Sequence, residues 1–129
     1  MAGLARAVES GTKLQEAVVE LSRRLGLDVR EQVRVGRRLW GSERKIDVIV
    51  SHRESRRSLG LECKYQGTTG TAEEKIPATI SDIGAWPIPG LVVFAGEGFS
   101  PNMRSYLLST GKAVELEDLE AWLTLHFGL

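Results

Sequence analysis

The tripeptide Glu62-Cys63-Lys64 lies inside a run, Ser58 to Tyr65, with the composition of a β-strand. Fifteen residues before Glu62, Asp47 sits in a second such run, Lys45 to Val50. Side chains alternate across a strand, so Glu62 and Lys64 share one face and Gln66 continues it. Neighbouring strands lie about 5 Å apart. Two carboxylates on adjacent strands can therefore share one Mg²⁺, which prefers oxygen ligands, keeps several waters and takes one or two protein carboxylates. The backbone carbonyl of Cys63 offers a further oxygen. Lys64 then stands beside Glu62, able to orient an attacking water or to offset phosphate charge. That chemistry suits hydrolysis of a phosphodiester. Glu-X-Lys on a strand is also a common exposed ion pair, so the surroundings matter. Alternation sets Ile46, Val48 and Val50 on one face and Asp47 with Ile49 on the other. An acid on a partly apolar face needs a partner or a metal.

The elements that must position these groups can be read in order. Leu14, Val18, Leu21 and Leu25 form one helical stripe, which predicts a helix over Gly11 to Leu25 with Gly26 as its C-cap. Val29 to Val35 reads as a half-buried strand, Lys45 to Ser51 as a second and Ser58 to Tyr65 as a third. The short connections make them an antiparallel meander. Thr71 with Glu74 is a capping box, predicting a helix from Ala72 with Ile76, Ile80 and Ile83 inward. Leu91 to Ala95 is a continuous apolar run, a strand covered on both faces. Pro101 to Leu108 reads as a helix and Lys112 to Leu116 as a short strand. Glu117 to Phe127 closes the chain as a helix with Leu119, Trp122, Leu123 and Phe127 inward. The order αβββαβαβα implies an α/β fold, a mixed sheet with helices on both faces.

Composition narrows the class. The chain has 129 residues, 26% charged and 42% hydrophobic, as expected of one globular domain over 1–129. No apolar run is long enough for a membrane span. The N-terminus lacks a signal core, and the single cysteine suits a reducing compartment, so the expected location is the cytoplasm, or a host's cytoplasm if phage-encoded. Net charge is zero, yet residues 23 to 64 carry twelve Lys/Arg against six Asp/Glu. Such polarisation gives either a basic face or a well-solvated stretch. Arg34, Arg37, Arg38, Arg44 and Lys45 are candidates for phosphate contacts, with Trp40 a stacking or packing residue. Gly67 to Thr71 precedes a helix N-terminus, where a phosphate is favoured, and Lys75 lies one turn in. His52 and His126 have no acid or cysteine at ligand spacing.

Asp47 followed a strand later by Glu62-Cys63-Lys64, within an αβββαβ order over residues 11 to 95, resembles the PD-(D/E)XK nuclease superfamily, the fold of many restriction enzymes and Holliday-junction resolvases. The resemblance implies a restriction-endonuclease-like core and a Mg²⁺-dependent DNA endonuclease, with Mn²⁺ able to substitute. Asp47 matches the Asp of the motif, Glu62 its acid and Lys64 its lysine, while Ile46 stands where the motif has Pro. The Cys63 carbonyl would complete the metal site, and Gln66 would hold Lys64 or meet the phosphate. The family often adds an acid from the first helix, a place Glu16 occupies, although it lies off the apolar stripe. DNA is the implied partner, and such small nucleases commonly act as homodimers or higher homo-oligomers. Resolvase, restriction-type and phage or mobile-element nucleases all stay open. The alternative is a non-catalytic nucleic-acid-binding module that keeps the fold.

Overall fold

Ser10 caps the first described helix, its hydroxyl accepting the N–H of Lys13, in a computed structural model that describes residues 10–37, 41, 43–67 and 75–129. Helix α1 spans Gly11–Arg24. It ends as the sequence predicts. Gly26, at φ 86°, donates to the carbonyl of Arg23, and Leu27 N–H reaches back to Ser22 O. This pair of bonds closes a helix on a left-handed glycine that any side chain would strain. Leu14, Val18 and Leu21 are buried beneath it.

The strands are β1 (Asp28–Arg37), β2 (Glu43–His52), β3 (Arg57–Tyr65), β4 (Gly90–Ala95) and β5 (Ala113–Glu115). Helix α2 is Ile76–Ile83, α3 is Pro101–Ser109, and a 3₁₀ turn at Leu116–Asp118 leads into α4, Leu119–Phe127. The capping box at Thr71 and Glu74 lies outside the described residues. The sheet runs β1-β2-β3-β4-β5 in space. Its first three strands are antiparallel, while β4 and β5 join parallel to β3. This is the mixed α/β sheet expected from the element order.

Two cores flank it. On one face Val48, Val50, Leu59, Leu61, Leu91 and Val93 meet α1 and α4. On the other Ile49, Val92 and Phe94 meet α2, the Trp86 segment and α3. Strand β4 is apolar throughout because it is covered twice. Gly60 and Gly90 make room for Trp86; a Cβ at Gly60 would lie 2.7 Å from its Cζ3. Burying each large apolar side chain stabilises the fold by about 1.5–3 kcal/mol. Phe127, Leu119 and Leu123 are buried as expected, whereas Trp122 is half-buried and stacks on His126.

One expectation fails at a defined place. Ile46 does not share the face of Val48 and Val50; it packs with Ile49 in the second core. Strand β1 changes face at the same level. Val29 packs on the first core, Val33 and Val35 on the second. The residues between are Gln32, at φ 50°, and Asp47, its neighbour across the ladder between the pairs Glu31–Val48 and Val33–Ile46. A left-handed residue reverses the pleat, and strict alternation cannot survive it.

Candidate functional site

The ladder between β2 and β3 runs from His52–Arg57 to Val48–Leu61 and ends there. Beyond it the two strands part. The early half of β2 continues with β1 as a hairpin arm, while Glu62, Cys63, Lys64 and Tyr65 continue against β4. Asp47 stands at the apex of the opening. Its Oδ2 accepts the N–H of Cys63 at 2.9 Å, taking the place of a strand carbonyl. A strand residue's C=O points to the same edge as its N–H, so the Cys63 carbonyl also faces the opening.

In-register parallel neighbours share a face, so Glu62 stands beside Val92 and Lys64 beside Phe94, on the side of the second core. Glu62 is 8% exposed, and Asp47 and Lys64 are half-buried. The Asp47 carboxylate is therefore brought to the backbone of Glu-X-Lys, next to the residue that carries the buried Glu62. The exposed ion-pair alternative does not fit a glutamate this deeply set. Cys63 packs toward the first core. Burial, then the charges of Asp47 and Glu62, hold its thiol well above the ordinary range, which removes it as a nucleophile.

Gln66 is 5% exposed. Its Nε2 donates to Gly98 O at 2.8 Å, and its own carbonyl accepts Gly98 N–H. It thus ties the end of β3 to the loop after β4, and its Oε1 is buried with no hydrogen bond among the described residues. On the far side of that loop Arg104 donates to Gly96 O and to Glu115 Oε1.

Other expected residues lie apart. Glu16 is exposed and paired with Lys13 at 3.4 Å. Its neighbour Gln15 is the helix residue linked to the apex, because Gln32 Nε2 donates both to Gln15 Oε1 at 3.0 Å and to Asp47 Oδ1 at 3.3 Å. Arg34 and Lys45 flank Glu43, and Arg37 donates to the Gly41 carbonyl. Arg44 bridges to Asp82 of α2 at 3.1 Å, largely sheltered from water. Lys75 is exposed at the start of α2. Arg38 and Trp40 lie outside the described residues, as does most of the Gly67 to Thr71 loop.

Sequence reasoning missed Gln15 and Gln32. The trace they leave is the Val29-Val33-Val35 spacing, in which Glu31 breaks the alternation.

Among the described residues three acids stand close enough to hold an ion: Glu115, Glu117 and Asp118, their ligand atoms within 4.8 Å. The group is two strands from Lys64, through the pairs Lys64–Phe94 and Phe94–Glu115. Glu115 is already met by Arg104 at 2.6 Å. Hydrogen bonding to Glu115 raises the Glu117 carboxyl above its usual range, helped by slight burial and the charges of Glu115 and Asp118.

A family model described as a PD-(D/E)XK nuclease superfamily domain matches residues 6–124. No curated protein matches the chain. Among solved structures it is similar to a protein of unknown function designated AF1548, at 18% identity and a TM-score of 0.53, covering 78% of this chain and 55% of that one. It is also similar to protein VC1899 from Vibrio cholerae, at 15% identity and a TM-score of 0.51, covering 91% of this chain and 32% of that one. The chain thus spans about half and a third of these neighbours. Among the described residues no helix is long and apolar enough to cross a membrane.

Proposed function

This chain belongs to the PD-(D/E)XK nuclease superfamily, and from that premise we propose that it is a Mg²⁺-dependent DNA endonuclease, with Mn²⁺ able to substitute. Asp47, Glu62 and the Cys63 carbonyl hold the metal in this reading. The observation that carries it is the 2.9 Å bond from Cys63 N–H to Asp47 Oδ2 at the point where β2 leaves β3. It sets an aspartate against the backbone of Glu-X-Lys. The donor set fits the ion: two carboxylates and a carbonyl are hard oxygens, and Mg²⁺ takes few protein ligands. A bound divalent ion there lowers the pKa of its water and offsets phosphate charge.

Lys64, on the face of Glu62, orients the attacking water and stabilises the charge that develops on the phosphate. Gln66 has its amide nitrogen committed to Gly98, so its free Oε1 can only accept. Holding Lys64 suits it better than meeting a phosphate. Glu16 would join as a ligand only on leaving Lys13. Arg34, Arg37 and Lys45 on the hairpin arm, Lys75 at the start of α2, and Arg38, which lies outside the described residues, contact the DNA backbone. Arg44 has less part in this, since Asp82 holds it. A homodimer would use α4 through Leu125, 86% exposed, and Leu129 rather than Trp122 and Phe127, which close the core.

The test is incubation with linear duplex, single-stranded and four-way-junction DNA in Mg²⁺, Mn²⁺ or EDTA, alongside Lys64→Ala. Metal-dependent cleavage, lost in the variant, is expected. DNA binding without cleavage, unchanged in Glu62→Ala, would instead make the domain a binding module.

A further inference from the structure

We infer that Gln32 is a positioning residue for this site, holding the Asp47 carboxylate in place and tying it to helix α1. The inference rests on the proposed metal site but concerns a residue outside the Asp and Glu-X-Lys motif. Two observations carry it.

The first is conformational. Among the described residues, Gln32 and Arg56 are the non-glycine positions with φ in the left-handed region. Arg56 sits in the loop between β2 and β3, where such a conformation is ordinary. Gln32 sits in the middle of β1, where it is costly, and glutamine has no special tolerance for it. Strain of this kind persists where the surrounding structure imposes it, and it gathers at functional sites.

The second is the hydrogen-bond chain that the strained residue makes possible. Gln15 Nε2 donates to Glu31 Oε1 at 3.1 Å, so Gln15 presents its oxygen onward. Gln32 Nε2 donates to that oxygen and to Asp47 Oδ1. Ionised carboxylates only accept, and an amide nitrogen carries two protons, so each member of the chain has one consistent orientation. Asp47 is then fixed at both oxygens: Oδ1 by Gln32 from one side, Oδ2 by Cys63 N–H from the other. A carboxylate has about four lone-pair sites, and these two bonds, the ones Asp47 accepts among the described residues, use two of them. Glu31, Gln15 and Gln32 thus form a brace that decides how the Asp47 carboxylate is turned. Partners of this kind commonly change metal affinity by about 10–100-fold when removed.

A backbone role and a positioning role predict opposite results. Gln32→Gly and Gln32→Asn both suit a left-handed residue. Glycine removes the amide, and asparagine shortens it by one methylene. We expect both variants to melt close to the wild-type temperature and to bind Mn²⁺ about tenfold more weakly or worse by calorimetry. DNA affinity in EDTA should be unchanged. Gln15→Ala, which removes the acceptor behind Gln32 without touching the strained position, should weaken Mn²⁺ binding in the same direction, and it decides the matter if the Gln32 variants fail to fold. Wild-type Mn²⁺ affinity in folded Gln32→Gly, or in Gln15→Ala where the Gln32 variants are unfolded, would overturn the inference and leave the metal site standing. Absence of Mn²⁺ binding in the wild-type protein would overturn the metal site and this inference with it.

Discussion

The β2–β3 hairpin has two ends that share a backbone and almost nothing else. At the closed end five residue pairs lie in register, from His52–Arg57 to Val48–Leu61, with Val48, Val50, Leu59 and Leu61 under α1 and α4. At the open end the ladder stops, a carboxylate replaces a carbonyl as acceptor, and Asp47, Glu62 and Lys64 occupy strand positions, with Gln66 just past the end of β3. The closed end is apolar and self-satisfied, so it supplies stability. The open end sets a carboxylate and a buried glutamate where the ladder stops, and it is there that the proposed metal site lies. The acids at Glu115, Glu117 and Asp118 offer a contrast: they stand close together, yet Arg104 already meets Glu115 and no lysine of a Glu-X-Lys strand stands among them. Proximity of carboxylates alone does not make a site.

The separation can be broken from either side. The largest effect should come from Asp47→Asn, with cleavage and Mn²⁺ affinity falling about 100-fold or more. Its melting temperature should stay near wild type, because Asn can still accept the Cys63 N–H. A large loss of stability would mean that the open end also holds the fold.

Leu61→Ala should do the reverse. A fully buried leucine replaced by alanine costs about 2–5 kcal/mol in chemical denaturation, with Mn²⁺ affinity of the folded fraction unchanged. Gly60→Ala should destabilise by about 1–3 kcal/mol, because its Cβ would press on Trp86. A stability equal to wild type would show that Trp86 can move aside.

The smallest effect is one of pH. His126 meets the closed end through Arg57, whose guanidinium donates to its backbone carbonyl and lies 3.3 Å from its Nε2. Burial, then the positive charge of Arg57, lower its pKa from the ordinary 6.5. The unfolded chain therefore binds the proton more readily. The histidine's contribution is complete above about pH 6.5 and declines as pH falls toward the folded value. Urea midpoints measured down that range should fall in the wild type and flatten in His126→Gln.

Much of this was legible in the sequence because it depends on local rules. The period of α1, the glycine that ends it and the doubly covered run of β4 follow from side-chain spacing and backbone freedom alone. So does the shared face of Glu62 and Lys64, since alternation in β3 holds there. Asp47 was recognisable as an acid in an apolar strand, but its surroundings were not.

What tertiary structure decided was where the rules stop. Alternation fails at Gln32 and Asp47 because a left-handed glutamine turns the pleat over, and nothing in glutamine's own preferences calls for that. The link from α1 to the apex runs through Gln15 rather than Glu16 because packing of the helix on the sheet, not position along the chain, sets which side chain arrives. Arg44 belongs to Asp82, which is distant in sequence and adjacent only once α2 lies on the sheet. A strand's faces are local properties with a period of two. The end of a ladder, and the hydrogen bonds that fill it, depend on partners the chain meets only after folding.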